Sequence, residues 1–243
     1  MAQLFFVWNG KDCRSMGVTL RRPVPIVRPE ERVQHVEIPG RSGDLTYTEG
    51  ENIFNSYIQT AEICVTGGFR VREVYKWLRG SGYVTFHGEP DRRQQARIIG
   101  AVTLNRISRN MDKWAGEVQF YCQPLKEKLQ EETVEITSSG STVLNNGDVI
   151  CRPLYKVTAS GSGFIFKAEG ENTPEENTLA VTGTTSGSVY WIDCETMEVL
   201  NEDRTEQLTK NSSGKFPVLG PGNNSIIGAT WSSIEIQKRE RFL

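Results

Sequence analysis

In the first half of the chain, apolar residues recur in short alternating or continuous runs: Leu4-Phe5-Phe6-Val7-Trp8, Tyr57-Ile58 through Ile63-Cys64-Val65, and Tyr83-Val84-Thr85-Phe86. Such runs predict strands, because side chains alternate between the two faces of a sheet. One stretch departs from that period. Between Phe69 and Arg79, Val71, Val74, Tyr75 and Leu78 fall at the i, i+3, i+4, i+7 spacing of one helix face, and Gly80-Ser81-Gly82 stops it. Two further β-type runs, Ala96 to Ile107 and Ala115 to Cys122, flank the polar turn Asn110-Met111-Asp112 and predict a hairpin.

After Pro124 the charged run Lys126-Glu127-Lys128-Leu129-Gln130-Glu131-Glu132 changes the composition, and the remainder is richer in Ser, Thr, Gly and Asn. This places a boundary near residue 128 and predicts two domains, 1–128 and 129–243. The second reads as short strands at regular spacing: Thr133–Thr137, Leu154–Thr158, Phe164–Ala168, Thr178–Thr182, Val189–Asp193, Glu198–Leu200 and Thr230–Gln237. Between them lie turns such as Asn145-Asn146-Gly147-Asp148, Ser160-Gly161-Ser162-Gly163 and Pro221-Gly222-Asn223-Asn224. That pattern predicts a β-sandwich, and the chain as a whole reads as mainly β.

Composition narrows the function more than the fold. With 37% hydrophobic and 24% charged residues and no apolar run of spanning length, the 243-residue chain reads as a globular protein with no membrane partner. The opening Met1-Ala2-Gln3-Leu4-Phe5-Phe6-Val7-Trp8 lacks the basic start and apolar stretch of a secretory signal, which predicts synthesis and retention in a cytosol. The five cysteines, Cys13, Cys64, Cys122, Cys151 and Cys194, are odd in number and widely spaced, so they read as reduced thiols. The sequons at Asn211 and Asn223 read as turns. The net charge of −2 divides unevenly: 17 Lys and Arg against 13 Asp and Glu through Pro124 (+4), then 11 against 17 (−6). The arginines of the first half are interspersed with carboxylates, which suits a solvated or interface surface better than a nucleic-acid site.

Catalytic chemistry finds little to build on. His35 and His87 stand outside any nucleophile-elbow or zinc-ligand spacing, and His87-Gly88-Glu89 reads as a turn after a strand. Gly161-Ser162-Gly163 is too short for a dinucleotide fingerprint, and no phosphate-binding loop is present. The tryptophans Trp8, Trp77, Trp114, Trp191 and Trp231 sit in apolar runs and read as core or interface packing. No enzyme, cofactor or metal is expected.

Several segments together resemble the distal tail protein family of long, non-contractile tailed phages. They are Phe6-Val7-Trp8-Asn9-Gly10-Lys11-Asp12, Arg28-Pro29-Glu30-Glu31-Arg32, Ile38-Pro39-Gly40-Arg41-Ser42-Gly43-Asp44-Leu45 and Phe120-Tyr121-Cys122-Gln123-Pro124 in the first half. In the second they are Asn145 to Asp148 before Arg152-Pro153, Ile192-Asp193-Cys194-Glu195, Phe216-Pro217-Val218-Leu219-Gly220-Pro221-Gly222-Asn223-Asn224-Ser225-Ile226 and Lys238-Arg239-Glu240-Arg241. Where relatives often carry aromatics after an acidic-proline turn, this chain has Glu89-Pro90-Asp91-Arg92-Arg93-Gln94-Gln95.

The resemblance implies an N-terminal β-sandwich or split-barrel domain with one α-helix, and a galectin-like C-terminal sandwich. It further implies a homohexameric ring at the distal tip of the virion tail, assembled in the host cytoplasm. Such a ring joins the tail tube protein to a tail-associated hub or fibre protein, and its lumen passes tape measure protein and DNA. Arg28, Glu30, Gly40, Arg41, Gly43 and Asp44 are the expected subunit or tube contacts, since charged, glycine-rich backbone suits an exposed loop. A plain hairpin turn at Gly40-Arg41-Ser42-Gly43 is the alternative for that loop. A carbohydrate-binding role of the second domain, on host cell-wall sugars, is the alternative for function.

Overall fold

The computed structural model describes residues 4–48, 50, 52–175 and 177–243, so Met1-Ala2-Gln3 of the N-terminal reading lie outside the described residues. The chain forms two compact units, Met1–Leu129 with Leu243, and Gln130–Phe242. It is mainly β and antiparallel. No helix among the described residues is long and apolar enough to cross a membrane.

The first unit carries strands β1 (Phe6–Trp8), β2 (Lys11–Asp12), β3 (Val18–Leu20), β4 (Val33–Val36), β5 (Leu45–Thr48) and β6 (Tyr57–Thr66). Helix α1 (Val71–Trp77) follows, then β7 (Ser81–Phe86), β8 (Arg92–Ile99), β9 (Leu104–Ser108) and β10 (Met111–Lys128). The main sheet runs β2-β1-β7-β8-β10-β6-β3, with β9 also paired to β10. Its long strands obey the period of two. Ala61, Ile63 and Val65 of β6 and Val118, Phe120 and Cys122 of β10 are buried, while Ile58, Thr60, Glu117, Gln119 and Tyr121 face solvent.

Helix α1 closes the core by seating Val74 and Leu78 in it. Trp77 stacks on Phe6 at 5.5 Å and 8°, and its indole N–H donates to the Trp8 carbonyl at 3.2 Å. The helix is shorter than its spacing predicts. A 3-10 turn occupies Gly68–Arg70, and after Leu78 leaves helical geometry the chain turns at Gly80 (φ +78°), so Ser81 and Gly82 already belong to β7.

Two other expectations need correction. The run Ala96 to Ile107 is two strands, broken over 100–103, and both lie against β10: β8 along Gln119–Lys128 and β9 along Met111–Gly116. A Cβ on Gly116 would stand 2.0 Å from the Thr103 carbonyl oxygen, so glycine is what lets the connecting segment pass. The strand expected over Ala115 to Cys122 runs on into the charged run, because Lys126–Lys128 completes β10 opposite Arg92–Gln94. Lys126 is buried there, its ammonium 2.6 Å from Glu89, which also pairs with Arg92 at 3.0 Å.

The second unit is a β-sandwich. Its strands are β11 (Thr133–Ile136), β12 (Ser141–Asn145), β13 (Leu154–Ala159), β14 (Gly163–Glu169), β15 (Thr178–Thr182), β16 (Val189–Asp193), β17 (Glu198–Leu200), β18 (Ser212–Gly214), β19 (Gly222–Ala229) and β20 (Trp231–Gln237). They form two five-stranded sheets, β11-β20-β13-β16-β17 and β12-β19-β14-β15-β18. One core lies between them, with Tyr155, Ile192, Ile234 and Ile236 from the first sheet against Phe164, Phe166, Leu179 and Ile226 from the second. Tyr155 and Phe166 meet edge to face at 5.0 Å.

The sequence pattern missed β12, β18 and β19, and Gly222-Asn223-Asn224 begins β19 instead of forming a turn. Asparagine is a poor strand former. Asn224 is fully buried and satisfies itself locally, donating to the Gly220 and Gly222 carbonyls at 2.8 and 2.9 Å and accepting from the Gly220 N–H at 2.9 Å.

Candidate assembly surface

Between Glu30 and Asn55 the first unit extends a two-stranded arm, β4 paired with β5, joined by a tip over 37–44. The base is held by backbone pairing: Asn55 N–H donates to Glu30 O at 2.8 Å and Arg32 N–H to Ile53 O at 2.8 Å, beside the buried Pro29 and Phe54. At the tip, the Arg41 N–H donates to the Ile38 carbonyl at 3.1 Å around Pro39 and Gly40. Gly40 has φ +83°, which the third residue of such a turn requires, and Gly43 has φ +81°.

The expected contact residues thus fall into two groups. Gly40, Arg41, Gly43 and Asp44 share the tip; Arg28 and Glu30 lie at the base, where Arg28 is 4.0 Å from Glu31. All six are exposed. The tip turn spans Ile38–Arg41, two residues before the expected Gly40-Arg41-Ser42-Gly43 turn.

Sequence reasoning overlooked the arm's apolar face. The register pairs Val36 with Leu45 and Gln34 with Tyr47, which sets Val36, Leu45 and Tyr47 on one side, exposed by 48, 46 and 59%. Their alternation in Leu45-Thr46-Tyr47-Thr48 was the available signal. Of the described residues from Glu30 to Ile53, Val33 alone is even partly buried.

Elsewhere many of the side chains with chemical potential are buried or paired. His87 opens the turn in which the Glu89 N–H donates to the Phe86 carbonyl at 3.1 Å, and the Glu89 carboxylate holds Lys126 and Arg92. Cys13, Cys122, Cys151 and Cys194 are buried and Cys64 is partly so; burial pushes the Cys122 and Cys151 thiols up to about 12 and raises that of Cys194. Arg204 lies 3.7 Å over the ring of Trp191, whose N–H donates to the Glu202 carbonyl at 3.0 Å. Trp8 and Trp231 are buried.

The motifs of the second unit prove to be each other's partners. Arg239 grips Asp193 with two hydrogen bonds of 2.7 and 2.9 Å, while Arg241 approaches Glu195 at 3.3 Å. Burial raises the Asp193 carboxyl, but the Arg239 guanidinium together with the Glu195 and Thr196 N–H groups outweighs it and leaves the group below its ordinary value. The Cys194 thiol donates to Pro217 O at 3.1 Å, tying the Ile192–Glu195 segment to the Phe216–Ile226 segment.

No protein-family model matches the chain, nor does any curated protein. Among solved structures it is similar to the crystal structure of the SPP1 Dit (gp 19.1) protein, described as a paradigm of the hub adsorption apparatus in phages that infect Gram-positive hosts. The TM-score is 0.78 at 18% identity, over 99% of this chain and 99% of that one. The chain has the fold of that Dit protein.

Proposed function

We propose that this chain is a structural protein of a phage tail, closing as six copies into a ring at the distal end and joining the tail tube protein to the hub or fibre protein of the tip. The observation that carries this reading is the fold, shared over 99% of both chains with a protein of a hub adsorption apparatus. The arm supports it: a two-stranded ribbon without a core is marginal alone and gains from a covering surface. A patch on one side of a subunit that fits a different patch on the next closes a ring by rotation and shows each axial partner the same face. The lumen then passes tape measure protein and DNA, and no bond is made or broken. The protein assembles in the host cytoplasm and resides in the virion. Domains 1–128 and 129–243 divide the work, and the first forms the ring.

Native mass spectrometry and negative-stain imaging of the purified protein test this. The expected particle is a six-fold ring of six 27.3 kDa chains. A monomer at every accessible concentration overturns the reading.

A further inference from the structure

We infer that the groove between β8 and β9 is a binding site for an organic cation, seating a primary ammonium group against Glu117. The inference goes beyond the ring reading and stands or falls apart from it.

The groove follows from how the main sheet is built. β8 leaves β10 at Ile99, opposite Gln119, and β9 joins it at Leu104, opposite Gly116. Between them Gly100 turns the chain at φ +69°, a conformation that favours glycine. The parted strands leave an opening of about 430 Å³ over β10. That lies within the range of roughly 300–1,000 Å³ in which small-molecule sites fall.

The lining is polar and carries charge of one sign. Thr103, Asn105, Glu117 and Gln119 contribute a hydroxyl, two amides and a carboxylate, and no lysine, arginine or aromatic ring joins them among the described residues. All four are exposed, and none of their side chains meets a hydrogen-bond or ion-pair partner among the described residues. Glu117 also stands directly opposite Glu62 in the β6–β10 ladder. Like charges so placed repel. Glu62 has a cation, Arg22 at 3.1 Å, and among the described residues Glu117 has none. A carboxylate here works against the sheet, and a local rule broken with no compensation inside the fold is expected where a site is kept for function.

The donor set selects the class of cation. A calcium ion takes about six to eight oxygen ligands, drawn largely from carboxylates and carbonyls, which one carboxylate with three neutral side chains does not supply. An ammonium group asks for less. Its three N–H donors match the Glu117 carboxylate and the side-chain oxygens of Asn105 and Gln119, offered from two paired strands. The methylene stem behind it then runs over Ile99 and Ala101, the apolar part of the lining. A free diamine and the lysine side chain of a partner protein both carry this chemistry.

Saturation-transfer NMR on the full chain tests the site, with 1,4-diaminobutane and N-acetyl-lysine methylamide as probes and 1-butanol as the uncharged control. Both amines are expected to bind saturably in the millimolar range, as an exposed charge contact allows, and 1-butanol is not. Glu117→Gln should weaken amine binding about tenfold, whereas Glu135→Gln, the same charge change in the second unit, leaves it unchanged. Both positions are exposed, so neither variant lowers the melting temperature, which serves as the folding control. A diamine that binds at least about tenfold more tightly than the lysine derivative makes the free diamine the ligand, and a smaller margin makes it a lysine side chain. No saturable amine binding, binding no stronger than that of 1-butanol, or an equal response to the Glu117 and Glu135 changes overturns the inference. None of these outcomes bears on the ring reading, which the mass of the purified particle decides.

Discussion

The arm and the sandwich are written in the same alphabet and end in opposite states. Val36, Leu45 and Tyr47 alternate with polar residues much as Val157, Ile234 and Ile236 do, yet the first three are about half exposed and the second three fully buried. The difference lies outside the strands themselves. Each sandwich sheet has a second sheet to receive its apolar face, whereas among the described residues β4 and β5 pair only with one another. Alternation states that a strand has an apolar face; it does not state whether the covering layer belongs to the same chain. The sandwich is thus a fold completed within one polypeptide, and the arm's apolar face is left uncovered by the described residues of its own chain.

The comparison is broken most forcefully in the sandwich core. Phe166 is fully buried and touches Tyr155 and Phe164 at ring distances of 5.0 and 6.3 Å. Phe166→Ala is expected to cost the second unit about 3–5 kcal/mol, a large share of a domain's stability, read as a lower urea midpoint. A loss below about 1 kcal/mol would mean that this core is as loosely committed as the arm.

A smaller effect is expected where the sandwich uses polar groups. Asn224 also accepts a hydrogen bond from the Thr173 hydroxyl at 3.1 Å, and Asn177 holds Ala168 O, Val218 O and Val218 N at 2.8, 2.9 and 2.7 Å. Together they pin the Phe216–Ile226 segment, where a Cβ on Gly220 would lie 2.2 Å from the Asn172 carbonyl oxygen. Asn224→Ala removes the partners of buried backbone groups, at about 1–3 kcal/mol. Unfolding by urea measures it, and an unchanged midpoint would remove the asparagines from the account of the fold.

These asparagines also mark the limit of what could be read from sequence. The β class, the helix at Val71 and the strands of the sandwich core follow from spacing, because a fully paired strand leaves its period in the chain. β19 did not, because its opening Gly-Asn-Asn carries turn residues whose hydrogen bonds happen to be satisfied inside a strand. Lys126 was unreadable for a related reason: its burial depends on Glu89, distant in sequence and brought near by the β8–β10 pairing. At the candidate surface, Pro39-Gly40 carries the local chemistry of the Ile38–Arg41 turn, although the turn was expected two residues later. The apolar face of the arm was legible in the Leu45-Thr46-Tyr47-Thr48 alternation, but its exposure was not, since exposure depends on the absence of a layer and no residue type encodes an absence.

The smallest effect on stability belongs to the arm and sharpens the comparison most. Tyr47 is 59% exposed and sits on a ribbon, Val33–Thr48, of which no described residue belongs to either core. Tyr47→Ala is therefore expected to shift the unfolding free energy of the monomer by no more than about 0.5 kcal/mol, as for surface substitutions generally. The same change removes the largest side chain of the apolar face, so the half-assembly concentration of the ring should rise at least tenfold in sedimentation velocity. The two readouts separate the possibilities. A stability loss near that of Phe166→Ala would show that the arm is core after all. A change in neither would make Tyr47 an ordinary exposed residue. Lost assembly with intact stability is what a surface reserved for a neighbour requires.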